Sequence, residues 1–363
     1  MTGCYCVVVH AGAGYHARAK EESYNVLCSE ACKASIEILS KGGSAVDGAA
    51  AAVAYLEDND LTNSGFGSNL TLNGHVECDS GMMCGTSLRF AGAGAMPGIR
   101  NPIMIAKLML LEQIRSPMCD IGRVSPSILC GRGAIEWAAN KSPALVQHHD
   151  LVSHRAYSDW KKFRSLFDCS KSDVPDCIPH QPKRIRASHM DTVGAVCFDV
   201  DGNVASAVSS GGIALKHEGR IGQSSIYGCG CWAEQSPCSG KVGVVTSGTG
   251  EQLIRTQLAQ RSAESLLNST HSTIPDILTS TLKRDFLDSR FLISDKQRYA
   301  GVAGLFCPDN SKTIEVFFAH TTQSMSVGYF VDRAMTSPMT YVSRRSMNRP
   351  MRVDAFAHRI HAD

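Results

Sequence analysis

The sequence has no long hydrophobic run. Its longest apolar stretch, residues 49–56, is far too short for a bilayer-spanning helix. Charge of one sign is equally scarce: Lys and Arg total 36, Asp and Glu 34, and the net charge is +2. No whole-chain field therefore draws the protein to nucleic acid or to an anionic membrane. Residues 1–6 lack the basic-then-apolar pattern of a secretory signal, so a soluble intracellular protein is expected. Paired cysteine spacing is missing as well. The 15 cysteines are odd in number and scattered. Cys4/Cys6 and Cys229/Cys231 are one residue apart, not the two of common zinc sites. Buried free thiols are expected, and neither a metal nor an organic cofactor is called for.

What is present is a core. Hydrophobic residues make up 43% of 363 and charged residues 19%, which leaves little room for disorder over most of the chain. The length suits two average domains or one large layered domain. CYCVVVH (4–10) reads as a buried strand running into the turn HAGAG (10–14). Apolar positions at helical spacing follow over 21–41, stopped by Gly42-Gly43. Ser44 and Asp47 form a capping box for an Ala-rich helix. Residues 61–90 suggest short strands and turns, with Asn73-Gly74 as a hairpin signal. Helices are expected at 102–113 and 131–140. Residues 142–190 turn polar, with His, Pro and short basic runs at 161–164 and 183–186, and read as a partly helical, mobile excursion.

Order returns at Thr192. TVGAVCFD and VASAVSS flank the Asp201-Gly202-Asn203 turn as a hairpin, and VGVVTS (242–247) is a further strand that meets Gly248-Thr249-Gly250. Thr249 and Gln252 form a second capping box, before a helix with Leu253, Ile254, Leu258 and Leu266 on one face. Strands at 302–307, 314–319 and 325–330 precede a basic, peripheral tail after Asp332. Grouped strands, hairpins and helices fit antiparallel sheets sandwiched between helices.

The junction of loop and strand at Asp191-Thr192 carries the chemistry. A threonine hydroxyl is a weak nucleophile without an adjacent base. If the bond before Thr192 breaks, its own α-amine, with a reference pKa of about 8, becomes that base. Thr-Val is also ordinary strand sequence, so the dipeptide alone decides nothing.

The surroundings decide more. DTVGAV (191–196), VASAVSSGG (204–212), GRIGQSSIYGCGCWAE (219–234) and VTSGTGE (245–251) resemble the type 2 asparaginase family of N-terminal-nucleophile (Ntn) hydrolases. HAGAG and TNSGFGSNLTLNGHVECD (62–79) extend the likeness, which runs from residue 4 to about 331. Within the family the chain is most similar to the threonine aspartase (taspase) branch, endopeptidases that cleave after aspartate. The resemblance implies an α/β fold, the four-layer αββα sandwich. It implies self-cleavage into an α subunit, 1–191, and a β subunit, 192–363, that together make one domain.

By the same resemblance Thr192 is the nucleophile and Ser210 a hydroxyl that supports it. Ser247 and Gly248 bind the oxyanion, Arg220 grips a substrate carboxylate, Gly250 lines the pocket, and Asn63 stands near the site from the α side. Gln223 departs from the family's small-molecule amidases, which have an aspartate there to pair with a free α-ammonium. A substrate inside a polypeptide has no such charge, and an unpaired buried carboxylate would be costly. The expected function is therefore a self-activating threonine endopeptidase that cuts proteins after aspartate. The alternative is a type 2 asparaginase, isoaspartyl peptidase or glycosylasparaginase acting on small molecules. A non-enzymatic scaffold is a third, weaker reading. The resemblance further implies chromatin and transcription regulators as substrates, nuclear as well as cytoplasmic location, and pairing of αβ units. Cys84, where the family has an aspartate, and Thr249 depart from the pattern without touching the nucleophile.

Overall fold

The computed structural model describes residues 3–116, 118, 121–139, 141, 148–171, 192–269, 272–309 and 311–360. Asp191, with the rest of 172–191, lies outside them.

The chain opens with β1 (Cys6–Gly14), α1 (Glu21–Leu39) and α2 (Ala45–Glu57). The hairpin β2 (Cys78–Cys84) and β3 (Arg89–Met96) follows, then α3 (Pro102–Arg115), β4 (Ile128–Cys130), α4 (Gly131–Ala139) and α5 (His154–Lys171). Beyond the junction come β5 (Val193–Phe198), β6 (Val204–Ser210), β7 (Cys231–Ser236) and β8 (Gly240–Gly248). Three helices, α6 (Gly250–Thr256), α7 (Leu258–Leu267) and α8 (Ile274–Thr281), lead to β9 (Ala300–Pro308), β10 (Thr313–His320) and β11 (Ser324–Val331). The chain ends with β12 (Met339–Arg344) and β13 (Arg352–Arg359).

Eight strands form one sheet in the order β12-β11-β1-β5-β6-β2-β3-β4, and five form a second, β13-β10-β9-β8-β7. All pairings are antiparallel except β3–β4. Successive residues of β1 serve two cores. Val7 and Val9 pack towards α1 and α2, while Cys6 and Val8 pack towards the second sheet. Burial on both faces explains why β1 reads as an unbroken apolar run. Val193, Ala195 and Cys197 of β5 face the helices, and Val196 and Phe198 face the other sheet. Helices α7 and α8 cover the outer face of the five-stranded sheet. The layers are helix, sheet, sheet, helix, the αββα sandwich.

Local signals fared unevenly. Ser44 caps α2 by accepting from Asp47 N (3.2 Å), and the Asp47 carboxylate returns to the Ser44 hydroxyl (2.6 Å) and towards its backbone, as the capping box predicts. Thr249 makes no side-chain cap on α6: Gln252 N bonds the Thr249 carbonyl instead (2.9 Å), and the Gln252 side chain is engaged with Gln297 O (2.7 Å) and Tyr299 N (3.0 Å). The single helix expected there is broken at Gln257, whose φ of 48° is left-handed. Asn73-Gly74 makes a turn, with Thr71 N bonded to His75 O, but no paired strands flank it. Cys84 ends β2 without disturbing its pairing to Arg89 and Ala205. The 13 cysteines described are free, most of them buried. No helix among the described residues is long and apolar enough to cross a membrane.

Two expectations need correction. The basic tail is not peripheral, because β12 and β13 complete one edge of each sheet. Tyr341 and Phe356 stack across them at 5.8 Å, and Arg344 and Arg345 donate inward to His16 O and Thr322 O. The excursion before Thr192 also packs over part of its length. Leu151 and Ala156 are buried with Leu70, Val76 and Cys78. From α5, Arg155 Nη2 donates to Thr62 O and Gly67 O (2.9 Å each), and Trp160 Nε1 donates to Thr71 O (2.9 Å).

Candidate active site

Thr192 immediately precedes β5, in the middle of the large sheet, and is buried. Its neighbours come from three separate segments. Ser210, at the end of β6, lies across the hairpin. Thr192 Oγ1 donates to Ser210 Oγ (3.3 Å), which also accepts from Gly212 N (3.0 Å). Ser247, near the end of β8 in the facing sheet, accepts from Thr192 N at 3.2 Å. The same Ser247 Oγ accepts from Ala13 N (3.0 Å), so HAGAG fixes it; these residues are not the expected turn but continue strand β1 past a bulge between His10 and Ala13. Gly248 follows with φ +142°, and a Cβ there would lie 2.2 Å from Tyr299 O, so only glycine fits.

Gln223 reaches the hydroxyl from the loop between β6 and β7. Its Nε2 donates to Thr192 Oγ1 at 2.8 Å, so the nucleophile candidate holds a neutral amide neighbour and a hydroxyl neighbour at once. Arg220, three residues earlier, points its guanidinium into the same corner. Its Nε and Nη2 lie 2.9 and 2.8 Å from Glu251 Oε1. A Cβ on Gly250 would sit 2.6 Å from Arg220 Nη2 and 2.8 Å from Gln223 Oε1, so this glycine keeps the corner open. Such an edge of guanidinium beside a small-residue gap suits a carboxylate.

Asn63 is placed differently. Its Nδ2 donates to Gly212 O, its Oδ1 accepts from Asn69 N and its backbone carbonyl accepts from Gly211 N, each at 2.8 Å. It holds the turn after Ser210. Asp191 lies outside the described residues.

The structure adds residues that motif reading passed over. His10 pairs with Gly194 across β1 and β5, and its ring is fully buried. A Cβ on Gly194 would approach His10 Nε2 to 2.6 Å, and the ring faces the Thr192 backbone without an aligned hydrogen bond at Nε2. Burial drives its pKa down to about 3, which the Thr192 backbone only partly offsets, so the imidazole is neutral. Asp79 and Lys216 lie buried behind Arg220, and Asn69 Nδ2 also donates to Gly212 O (2.9 Å). HAGAG and ECD were visible as sequence, but no spacing rule ties them to a residue so far along the chain. Among the described residues no His, Cys, Asp and Glu cluster could hold a metal ion.

The geometry thus gathers Thr192, Ser210, Gln223, Ser247 and Gly248 in one place, with Arg220 and Gly250 beside them. An asparaginase family profile matches residues 3–272. The isoaspartyl peptidase/L-asparaginase of Danio rerio is 34% identical over 255 residues, 70% of this chain and 73% of that protein. The human protein of the same name is 34% identical over 256 residues, covering 70% and 74%. A plant-type L-asparaginase of Pyrobaculum calidifontis is 32% identical over 272 residues, covering 73% and 80%. With the two-sheet sandwich and the gathered hydroxyls already in view, the match over most of its length places the chain in the type 2 asparaginase family of Ntn hydrolases.

Proposed function

We propose that the chain activates itself by cutting the Asp191–Thr192 bond and then hydrolyses amide bonds with Thr192. In the precursor, Thr192 Oγ1 attacks the Asp191 carbonyl carbon, the peptide C–N bond breaks, and the acyl group passes from nitrogen to oxygen. Water hydrolyses the ester, leaving α and β subunits of 1–191 and 192–363. The new α-amine, at the position where Thr192 N now meets Ser247 Oγ, takes the hydroxyl proton. Oγ1 then attacks the substrate carbonyl, the amine leaves with that proton, and water releases the acyl group. Ser247 and the Gly248 backbone are the proposed oxyanion partners.

The substrate we favour is a peptide bond on the C-terminal side of aspartate, with Arg220 on the aspartate carboxylate. The single observation that supports it is the 2.8 Å contact of the uncharged Gln223 amide with Thr192 Oγ1, where a free α-ammonium would find no carboxylate. Nearby acids are engaged: Glu251 with Arg220, and Asp79 with two backbone amides. Nuclear regulatory proteins as substrates and pairing of two αβ units enter this proposal from the resemblance alone.

The names of the relatives favour the second reading, hydrolysis of L-asparagine or isoaspartyl dipeptides. Parallel assays with L-asparagine, an isoaspartyl dipeptide and an N-acetylated peptide containing internal Asp-Gly separate the two. Faster cleavage of the peptide is expected; turnover of the small amides alone would overturn the endopeptidase reading.

A further inference from the structure

Arg220 and Gln223 occupy one short turn, residues 219–223, yet they address different targets, the carboxylate corner and the nucleophile. Something must fix that turn. Its backbone is tied at Gly222, whose N–H donates to Asp79 Oδ2 at 2.7 Å. Asp79 Oδ1 accepts from Ala95 N at 2.8 Å. The arrangement comes from a bulge between β2 and β3, where pairing jumps from Cys78–Met96 to Ser80–Ala93. Two residues therefore oppose Asp79, and Ala95 adopts φ +50°, a left-handed conformation costly for a residue with a side chain. The strain turns the Ala95 N–H onto the carboxylate.

The charges around Asp79 converge on the same corner. A Cβ on Gly222 would lie 2.8 Å from Arg220 Nη1 and 3.3 Å from Asp79 Oδ2, so guanidinium and carboxylate face each other across this glycine. Lys216, also buried, donates to Glu77 O (2.6 Å), two residues before Asp79. Its Nζ and Arg220 Nη1 both approach the Cβ position of Gly212, at 3.3 and 2.9 Å. Asp79 itself pairs with Ser210 across β2 and β6. Burial pushes its carboxyl pKa up, against the opposing pull of Lys216, the two amides and Arg220.

We propose that Asp79 is a positioning residue: it holds the 219–223 turn and the Arg220 guanidinium so that a substrate carboxylate is gripped in register with Thr192. The proposal rests on the reading of Arg220 as the carboxylate partner. It does not depend on which amide is cut, because both substrate classes present a carboxylate.

The test is a double-mutant cycle of Asp79→Asn and Arg220→Gln in the self-cleaved protein. Binding of L-aspartate and of an N-acetylated peptide ending in aspartate is titrated calorimetrically. Asp79→Asn is expected to weaken binding at least tenfold at an unchanged thermal midpoint, and Arg220→Gln at least as much. The double variant should bind no more weakly than Arg220→Gln alone, and Asp79→Glu should recover part of the loss. Unchanged affinity in Asp79→Asn, or losses that multiply, would overturn the proposal. So would a variant that does not fold, which would make Asp79 a strut of the bulge. Failure of the functional reading shows separately, as a wild-type protein that hydrolyses none of the three substrates.

Discussion

Gln223 Nε2 donates to Thr192 Oγ1, so the hydroxyl oxygen already carries one hydrogen bond and its proton is directed to Ser210. The amide stabilises oxygen without adding charge. An aspartate in its place would accept the hydroxyl proton and present a negative group to whatever lies beside Thr192.

Gln223→Asp should therefore lower kcat/KM on an internal-aspartate peptide by about tenfold or more, each factor of ten being ~1.4 kcal/mol of transition-state stabilisation. The ratio of L-asparagine to peptide turnover should rise by a similar factor. Steady-state kinetics on both substrates reads this, and an unchanged ratio would remove Gln223 from the specificity argument.

Gly194→Ala tests the floor beneath the nucleophile. The added Cβ would meet His10 Nε2 at 2.6 Å and Val245 Cβ at 3.0 Å, between two strands with no free space. Overpacking of this kind costs about 1–3 kcal/mol. Thermal unfolding should show the loss, and turnover should fall further because Thr192 is two residues away.

Much of this organisation was legible in sequence where one residue pattern fixes one local structure. The hairpin of β5 and β6 was, since Asp199 accepts from Asp201 N and Asn203 N and Gly202 takes φ +81° as an Asp-Gly-Asn turn predicts. Ser210, Gln223 and Ser247 stood out because each lies in a short motif of its own, and the structure brings all three to Thr192. His10, Asp79 and Lys216 were not, because their roles arise from strand pairing and burial that no local spacing encodes. The β12–β13 edges were hidden because six arginines over residues 333–359 read as a solvated tail. The α5 contacts were hidden because they rest on side chains bonding to backbone carbonyls.

Those α5 contacts give another prediction. Arg155→Ala removes two hydrogen bonds to Thr62 O and Gly67 O, on either side of Asn63. Charged donors to buried carbonyls are worth about 1.5–3 kcal/mol each in such settings, less for partly exposed ones. Urea unfolding should show a lower midpoint, and turnover should decline as the loop holding Gly211 and Gly212 loosens. Wild-type stability and activity would mean the helix only rests on the loop.

Stability should depend on pH from both sides. Burial drives His10 down to about 3 and His16 and His320 to about 4, so the unfolded chain binds protons that the folded protein refuses. That contribution is complete above about 6.5 and is lost as the pH falls towards 3. Glu57 runs the other way. Burial raises it from 4.5 to about 8, so the folded protein keeps a proton the unfolded chain has released. Its contribution is complete below 4.5 and is lost as the pH rises through 8. The thermal midpoint should fall between about pH 6.5 and 8. Glu57→Gln should flatten that limb and leave the acid limb in place; an unchanged fall in the variant would assign it elsewhere.

Everything proposed for turnover requires a free amine on Thr192. Intact-mass measurement of the purified, active protein, with N-terminal sequencing of each species, reads this directly. Two chains are predicted, the second beginning Thr-Val-Gly-Ala, with Thr192→Ala remaining one inactive chain. A single uncut chain that turns over substrate would contradict the account.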